Sequence, residues 1–94
     1  MKEGRARPAL GLSGLKNIGR VTERWLNGIG VFSEIDLRRL GAVKAYRMIR
    51  AMEPGATVNL LFALQGALMG VHWNRLSPPI RDLMVREVER AERK

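Results

Sequence analysis

The residues that could do chemistry in this chain are few, and their spacing assembles no catalytic group. The one histidine, His72, stands in Gly70-Val71-His72-Trp73-Asn74; the serines are Ser13, Ser33 and Ser77, and the aspartates Asp36 and Asp82. A nucleophilic triad needs a serine and an acid converging on the histidine, yet each serine here sits where a helix cap belongs. There is no cysteine, and a lone histidine cannot build a zinc site. Nor is there a Gly-rich phosphate loop, a paired-carboxylate signature or a metal-ligand spacing. The sequence predicts a non-enzymatic protein without a cofactor, in which His72 and Trp73 form a packing and hydrogen-bonding corner.

Charge points to binding instead. Seventeen Lys and Arg stand against nine Asp and Glu, a net charge of +8. The excess is local: residues 16–50 hold eight basic and three acidic side chains, whereas residues 51–94 hold six and five. A basic excess confined to one region favours an anionic partner, DNA first. Within it lies Leu15-Lys16-Asn17-Ile18-Gly19-Arg20-Val21-Thr22. This stretch approaches the helix–hairpin–helix turn, apolar-x-Gly-apolar-Gly followed by a basic and a small residue. Gly19 occupies the second glycine position. Asn17 replaces the first and is the next most tolerant residue for positive φ. In such a turn the apolar Ile18 plugs into the core. The freed amides of the following helix can then hold a phosphate without reading bases. The nucleic-acid-binding candidates are Lys16, Asn17, Gly19, Arg20 and Arg24, extended by Lys44 and Arg47. The same pattern also serves as a plain packing corner or a protein contact, so the turn alone does not name its ligand.

The elements that must position this turn follow from periodicity and punctuation. Residues 1–12 carry Gly4, Pro8 and Gly11 with little apolar patterning and predict a flexible arm before a helical domain over 13–94. Ser13 caps a short helix over Gly14–Asn17, and a second runs from Arg20 to Asn27, with Val21, Trp25 and Leu26 on one face. Trp25 is expected to pack in the core. Asn27-Gly28 is a stop signal through the left-handed conformation. Gly28-Ile29-Gly30 is either a looser second hairpin or a helix end followed by a turn.

Ser33 and Asp36 form a variant capping box for a third helix bearing Ile35, Leu37 and Leu40, which Gly41 ends. The fourth helix, Ala42–Met52, buries Ala42, Ala45, Tyr46, Ile49 and Met52. Pro54-Gly55 breaks the chain, and Thr57 caps a central helix, Val58–Met69, that is apolar nearly all round. In that helix Gly66 is expected to admit a neighbouring helix, and Gly70 to end it. Ser77-Pro78 opens the last helix, whose inward stripe is Ile80, Leu83, Met84, Val88 and Ala91. The fold class is all-α, a small bundle of five or six short helices containing a helix–hairpin–helix-like element. The longest apolar run, Val58 to Val71, is about fourteen residues with polar interruptions, too short to span a bilayer. No signal-peptide h-region opens the chain. These features predict a cytoplasmic protein without a membrane segment; oligomeric state is not legible.

Two blocks of residues carry a family resemblance. The first joins Leu15-Lys16-Asn17-Ile18-Gly19, Thr22-Glu23, Trp25-Leu26, Ile29-Gly30-Val31 and Asp36-Leu37-Arg38-Arg39-Leu40-Gly41-Ala42. The second joins Asn59-Leu60-Leu61, Ala63-Leu64-Gln65-Gly66-Ala67-Leu68 and Gly70-Val71-His72-Trp73. Together, over residues 13–84, they resemble the C-terminal domain of the TfoX/Sxy regulators of natural competence, here without the family's N-terminal domain. The resemblance implies an all-α fold related to helix–hairpin–helix domains. It also implies a role in DNA transformation, through transcriptional activation of competence genes alongside a catabolite-activator-type factor. It supplies no catalytic residues. Two functions stay open at the level of sequence: a DNA-associated regulatory domain, and a protein-interaction module touching a transcription factor or RNA polymerase.

Overall fold

The structure, a computed structural model, describes residues 12–93. Five α-helices account for most of them: α1 (Arg20–Gly28), α2 (Glu34–Leu40), α3 (Ala42–Met52), α4 (Val58–Met69) and α5 (Pro78–Glu92). Two single 3-10 turns, Leu12–Gly14 and Trp73–Arg75, complete the set, and no strand forms among the described residues. The all-α expectation holds.

Helix α4 is the axis of the fold because its sequence leaves it little choice. Leu60, Leu61, Phe62, Leu64, Gly66 and Ala67 are all buried, so neighbours cover it on several sides. Helices α3 and α5 pack on it and on each other, α2 bridges α3 and α4, and α1 lies against α3. The second 3-10 turn folds back onto α4. Leu26, Leu37, Ile49, Leu61 and Leu64, from α1 to α4, are fully enclosed, and Met84 and Val88 close the core from α5.

The punctuation residues work largely as their chemistry dictates. The Ser33 hydroxyl accepts the Asp36 amide at 3.1 Å. Asp36 in turn accepts the amide of Phe32 at 3.0 Å, one residue earlier than the cap itself. Gly41, at φ 88°, both ends α2 and begins α3. Gly70 takes the left-handed conformation at φ 72°, and the Val71 amide returns to the Gly66 carbonyl at 2.9 Å, the Schellman closure of α4. Thr57 and Ser77 stand at the cap positions of α4 and α5 but make no side-chain cap bond. The α5 start relies instead on Pro78, whose fixed φ suits the first helical position.

Several expectations are corrected. No helix spans Gly14–Asn17: a 3-10 turn precedes that stretch, and Ser13 lies inside the turn instead of capping a helix. Residues 1–11 of the expected arm lie outside the described part of the chain, and Leu12 does not belong to an arm, being fully buried in the core. Helix α1 runs through Asn27 and Gly28; the positive φ falls on Gly30, and the Asn27 side chain closes the bend by donating to the Val31 carbonyl at 3.0 Å. Met52 and Leu83, expected to face inward, are exposed, as are Val21, Ile35 and Val58 among the apolar helix positions. Short helices in a small domain carry more apolar positions than the core can cover.

Candidate nucleic-acid interface

The turn between the first 3-10 element and α1 is built backbone first. The Leu15 amide donates to the Leu12 carbonyl at 2.9 Å, and that of Ile18 to the Leu15 carbonyl at 3.3 Å. Among the described residues Asn17 is the one non-glycine residue with positive φ, at 70°. This reverses the chain so that Ile18 enters the core, where it is 4% exposed. Gly19 is extended, at φ −97° and ψ −171°, so the left-handed corner falls on Asn17 and not on the glycine. The Gly19 carbonyl accepts the first intrahelical bond from Glu23 at 2.9 Å. That leaves the Arg20, Val21 and Thr22 amides at the open, positive end of α1.

Asn17 has a second task that local reading could not show. Its Nδ2 donates to the Val71 carbonyl at 2.9 Å and to the Ala63 carbonyl at 3.3 Å. Its Oδ1 accepts the Trp73 amide at 3.1 Å. The side chain is therefore committed to clasping the turn onto the end of α4. What Asn17 offers a ligand is backbone. Gly66 is the partner feature: a Cβ there would lie 2.6 Å from Asn17 Nδ2 and 2.7 Å from the Val71 carbonyl oxygen. The close approach expected at Gly66 is thus made by the Asn17 amide and the Val71 carbonyl, not by a helix.

The remaining candidates separate into two groups. Lys16, Gly19, Arg20 and Arg24 are exposed on one continuous stretch, with Arg20 and Arg24 one helical turn apart. None of these three cations forms an ion pair among the described residues. Lys44 is exposed on the first turn of α3. Arg47 is half-buried and turned to α5, where its guanidinium donates to the Ala91 carbonyl at 3.4 Å while its Nε is buried without a partner. Arg50, one turn on, bonds the Tyr46 hydroxyl and pairs with Glu92 of α5. Those two contacts raise its already high pKa, that with Tyr46 contributing most. The α3 cations at 47 and 50 therefore tie helices together.

A cleft of about 340 Å³ opens beside the turn, lined by Asn17, Thr22 and Trp25 on one part and by Thr57, Asn59 and Trp73 on another. Sequence reasoning placed both tryptophans in packing roles. Trp25 does pack against the core while lining the cleft, but Trp73 is 39% exposed. The only sequence signal is that both tryptophans lie close in the chain to elements carrying the basic turn and its clasp. His72 is exposed, not packed as a corner. No group of three or more His, Asp or Glu gathers at metal-binding range among the described residues, and none of their helices is long and apolar enough to cross a membrane.

Comparison with known proteins places this geometry. No curated protein matches the chain. Two crystal structures from Listeria monocytogenes share the fold. One, of an uncharacterised protein, has a TM-score of 0.79 at 28% identity and covers 87% of this chain and 93% of its own. The other, of a protein of unknown function, has a TM-score of 0.73 at 28% identity and covers 85% of this chain and 98% of its own. The TfoX C-terminal domain family matches residues 9–88, which span both the clasped turn and the α4 axis. The chain belongs to the TfoX C-terminal domain family.

Proposed function

We propose that this TfoX C-terminal domain is a non-enzymatic regulatory domain that associates with DNA through the Lys16–Arg20 turn and the first turns of α1, in the service of DNA transformation. The observation that carries the proposal is the composition of the exposed turn and α1 surface. Lys16, Arg20 and Arg24 are exposed there against one large apolar side chain, Val21. An exposed, cation-rich surface beside an open helix N-terminus suits phosphate and not an apolar partner. Lys44 extends the set from α3.

A second reading rests on a different observation: Phe32 and Ile35, at the start of α2, are each 62% exposed. These would be the anchors of a protein-interaction module, docking to a transcription factor or RNA polymerase without touching DNA. Fluorescence anisotropy against duplex and single-stranded DNA at several salt concentrations separates the two. Neutralising three to five phosphates gives a log K against log salt slope of about −3 to −5. The double variant K16E/R20E should weaken binding and flatten that slope. Absence of salt-dependent binding to either form of DNA at low ionic strength overturns the DNA reading and leaves the adaptor.

A further inference from the structure

The cleft beside the turn has a composition that phosphate binding alone does not call for. Trp25 of α1 and Trp73 of the 3-10 turn after α4 both line it, together with Thr22, Thr57 and Asn59, whose side chains can hydrogen-bond. Trp73 is held in place by Arg81 of α5, whose guanidinium lies 5.8 Å from the Trp73 ring centroid and 5.5 Å from that of Phe62, and donates to the Trp73 carbonyl at 3.4 Å. The Trp73 amide is held by Asn17. With both backbone groups bonded and a guanidinium beside the ring, Trp73 has less freedom to lose when a planar group stacks on it. Thr57 makes no cap bond with its hydroxyl, which leaves it available to the cleft.

The geometry points to an unstacked nucleobase of single-stranded DNA as the occupant of this cleft, its phosphates lying on the adjoining Lys16–Arg20 turn. Three features select that occupant. Asn17 and Thr22 belong at once to the cationic turn with its helix start and to the cleft wall, so charge and aromatic surface are contiguous. A volume of about 340 Å³ is large enough to admit one base. In a duplex the base faces are covered by their neighbours, so aromatic stacking of this kind selects unpaired strands. This inference rests on the DNA reading above and specifies the form of DNA.

The test compares three ligands of equal length at low salt by anisotropy: an oligothymidylate, an abasic phosphodiester strand of the same charge, and a duplex. Stacking of one base predicts that the oligothymidylate binds about tenfold tighter than the abasic strand. It should also quench tryptophan emission where the abasic strand does not. W73A should remove the tenfold preference without changing affinity for the abasic strand. W25F and W73F, which keep the packing, assign the quench without relying on a truncated side chain. Equal, salt-dependent binding of the base-bearing and abasic strands, or tighter binding of the duplex, overturns the base cleft while phosphate binding stands. Failure of all three ligands to bind overturns both.

Discussion

The Asn17 side-chain amide occupies the space that a side chain on Gly66 would need, 2.6 Å from the position of its missing Cβ. The two residues lie on different elements, one at the left-handed corner of the basic turn and the other in the last turns of α4. Their juxtaposition lets one asparagine satisfy the Val71 carbonyl and the Trp73 amide together. The glycine in α4 and the asparagine in the turn are thus one structural unit, and the orientation of the cationic turn depends on both.

G66A tests that unit. In an open helix the change from glycine to alanine would stabilise by about 1 kcal/mol through propensity. Here the new methyl also meets the Val71 carbonyl oxygen at 2.7 Å, and backbone cannot give way as a side-chain tip can. The expected outcome is a net loss of about 1–3 kcal/mol, read as a lower urea midpoint at unchanged m value. A gain in stability would mean that the clasp is loose.

Substitutions at Asn17 separate its backbone task from its side-chain task. N17A loses three hydrogen bonds, leaves polar backbone groups unpartnered and puts alanine at a φ of 70°. Together these should cost about 2–4 kcal/mol. N17G loses the same bonds but suits the left-handed corner, so it should recover about 1 kcal/mol of that loss. Equilibrium denaturation of both variants gives the difference directly. Equal destabilisation would assign the whole effect to the side chain.

Much of the fold was legible because short helices are punctuated by residues with local chemistry. Ser33, Gly41, Pro54-Gly55, Gly70 and Ser77-Pro78 mark where α2 to α5 begin or end. The α4 sequence announced its burial through its apolar surround. What was not legible depends on partners distant in the chain. Asn17 meets residues 46 to 56 positions away, and Arg47 meets Ala91 across 44. Periodicity within one helix carries no information on either contact. Ile35 and Leu83 failed for another reason: a 3.6-residue period identifies an apolar stripe but not how wide a stripe the neighbours cover. For the candidate interface, motif and charge point to the turn and its α1 cations. They do not point to the tryptophan cleft, since its walls come from α1, α4 and the loop beyond.

The caps provide a graded prediction. Ser33 is the one cap residue of α2, α4 and α5 whose hydroxyl takes a helix amide, that of Asp36. S33A should therefore lose about 1 kcal/mol. T57A and S77A remove no cap bond and should each change stability by less than about 0.5 kcal/mol. Thermal or urea unfolding of the three variants in parallel checks the order. A loss at Ser77 equal to that at Ser33 would show that Pro78 does not suffice to start α5.

Arg47 distinguishes a binding cation from a structural one. Its sequence position, between Lys44 and Arg50 on α3, gives it the same charge pattern as the residues of the turn. Its surroundings differ: the guanidinium is half-buried against α5, with one weak bond to the Ala91 carbonyl and a buried Nε that has no partner. Replacing it by methionine keeps the packed stem and removes the unsatisfied polar atom. R47M should therefore stay within about 1 kcal/mol of the parent in stability. A phosphate-binding cation contributes about one unit to the log K against log salt slope. R47M should leave that slope unchanged, whereas R20M, from an exposed position at the open end of α1, should reduce it by about one. Measured together on the same DNA, a reduced slope for R47M would move the phosphate-binding surface onto α3, and unchanged slopes for both would remove the Arg20 side chain from it.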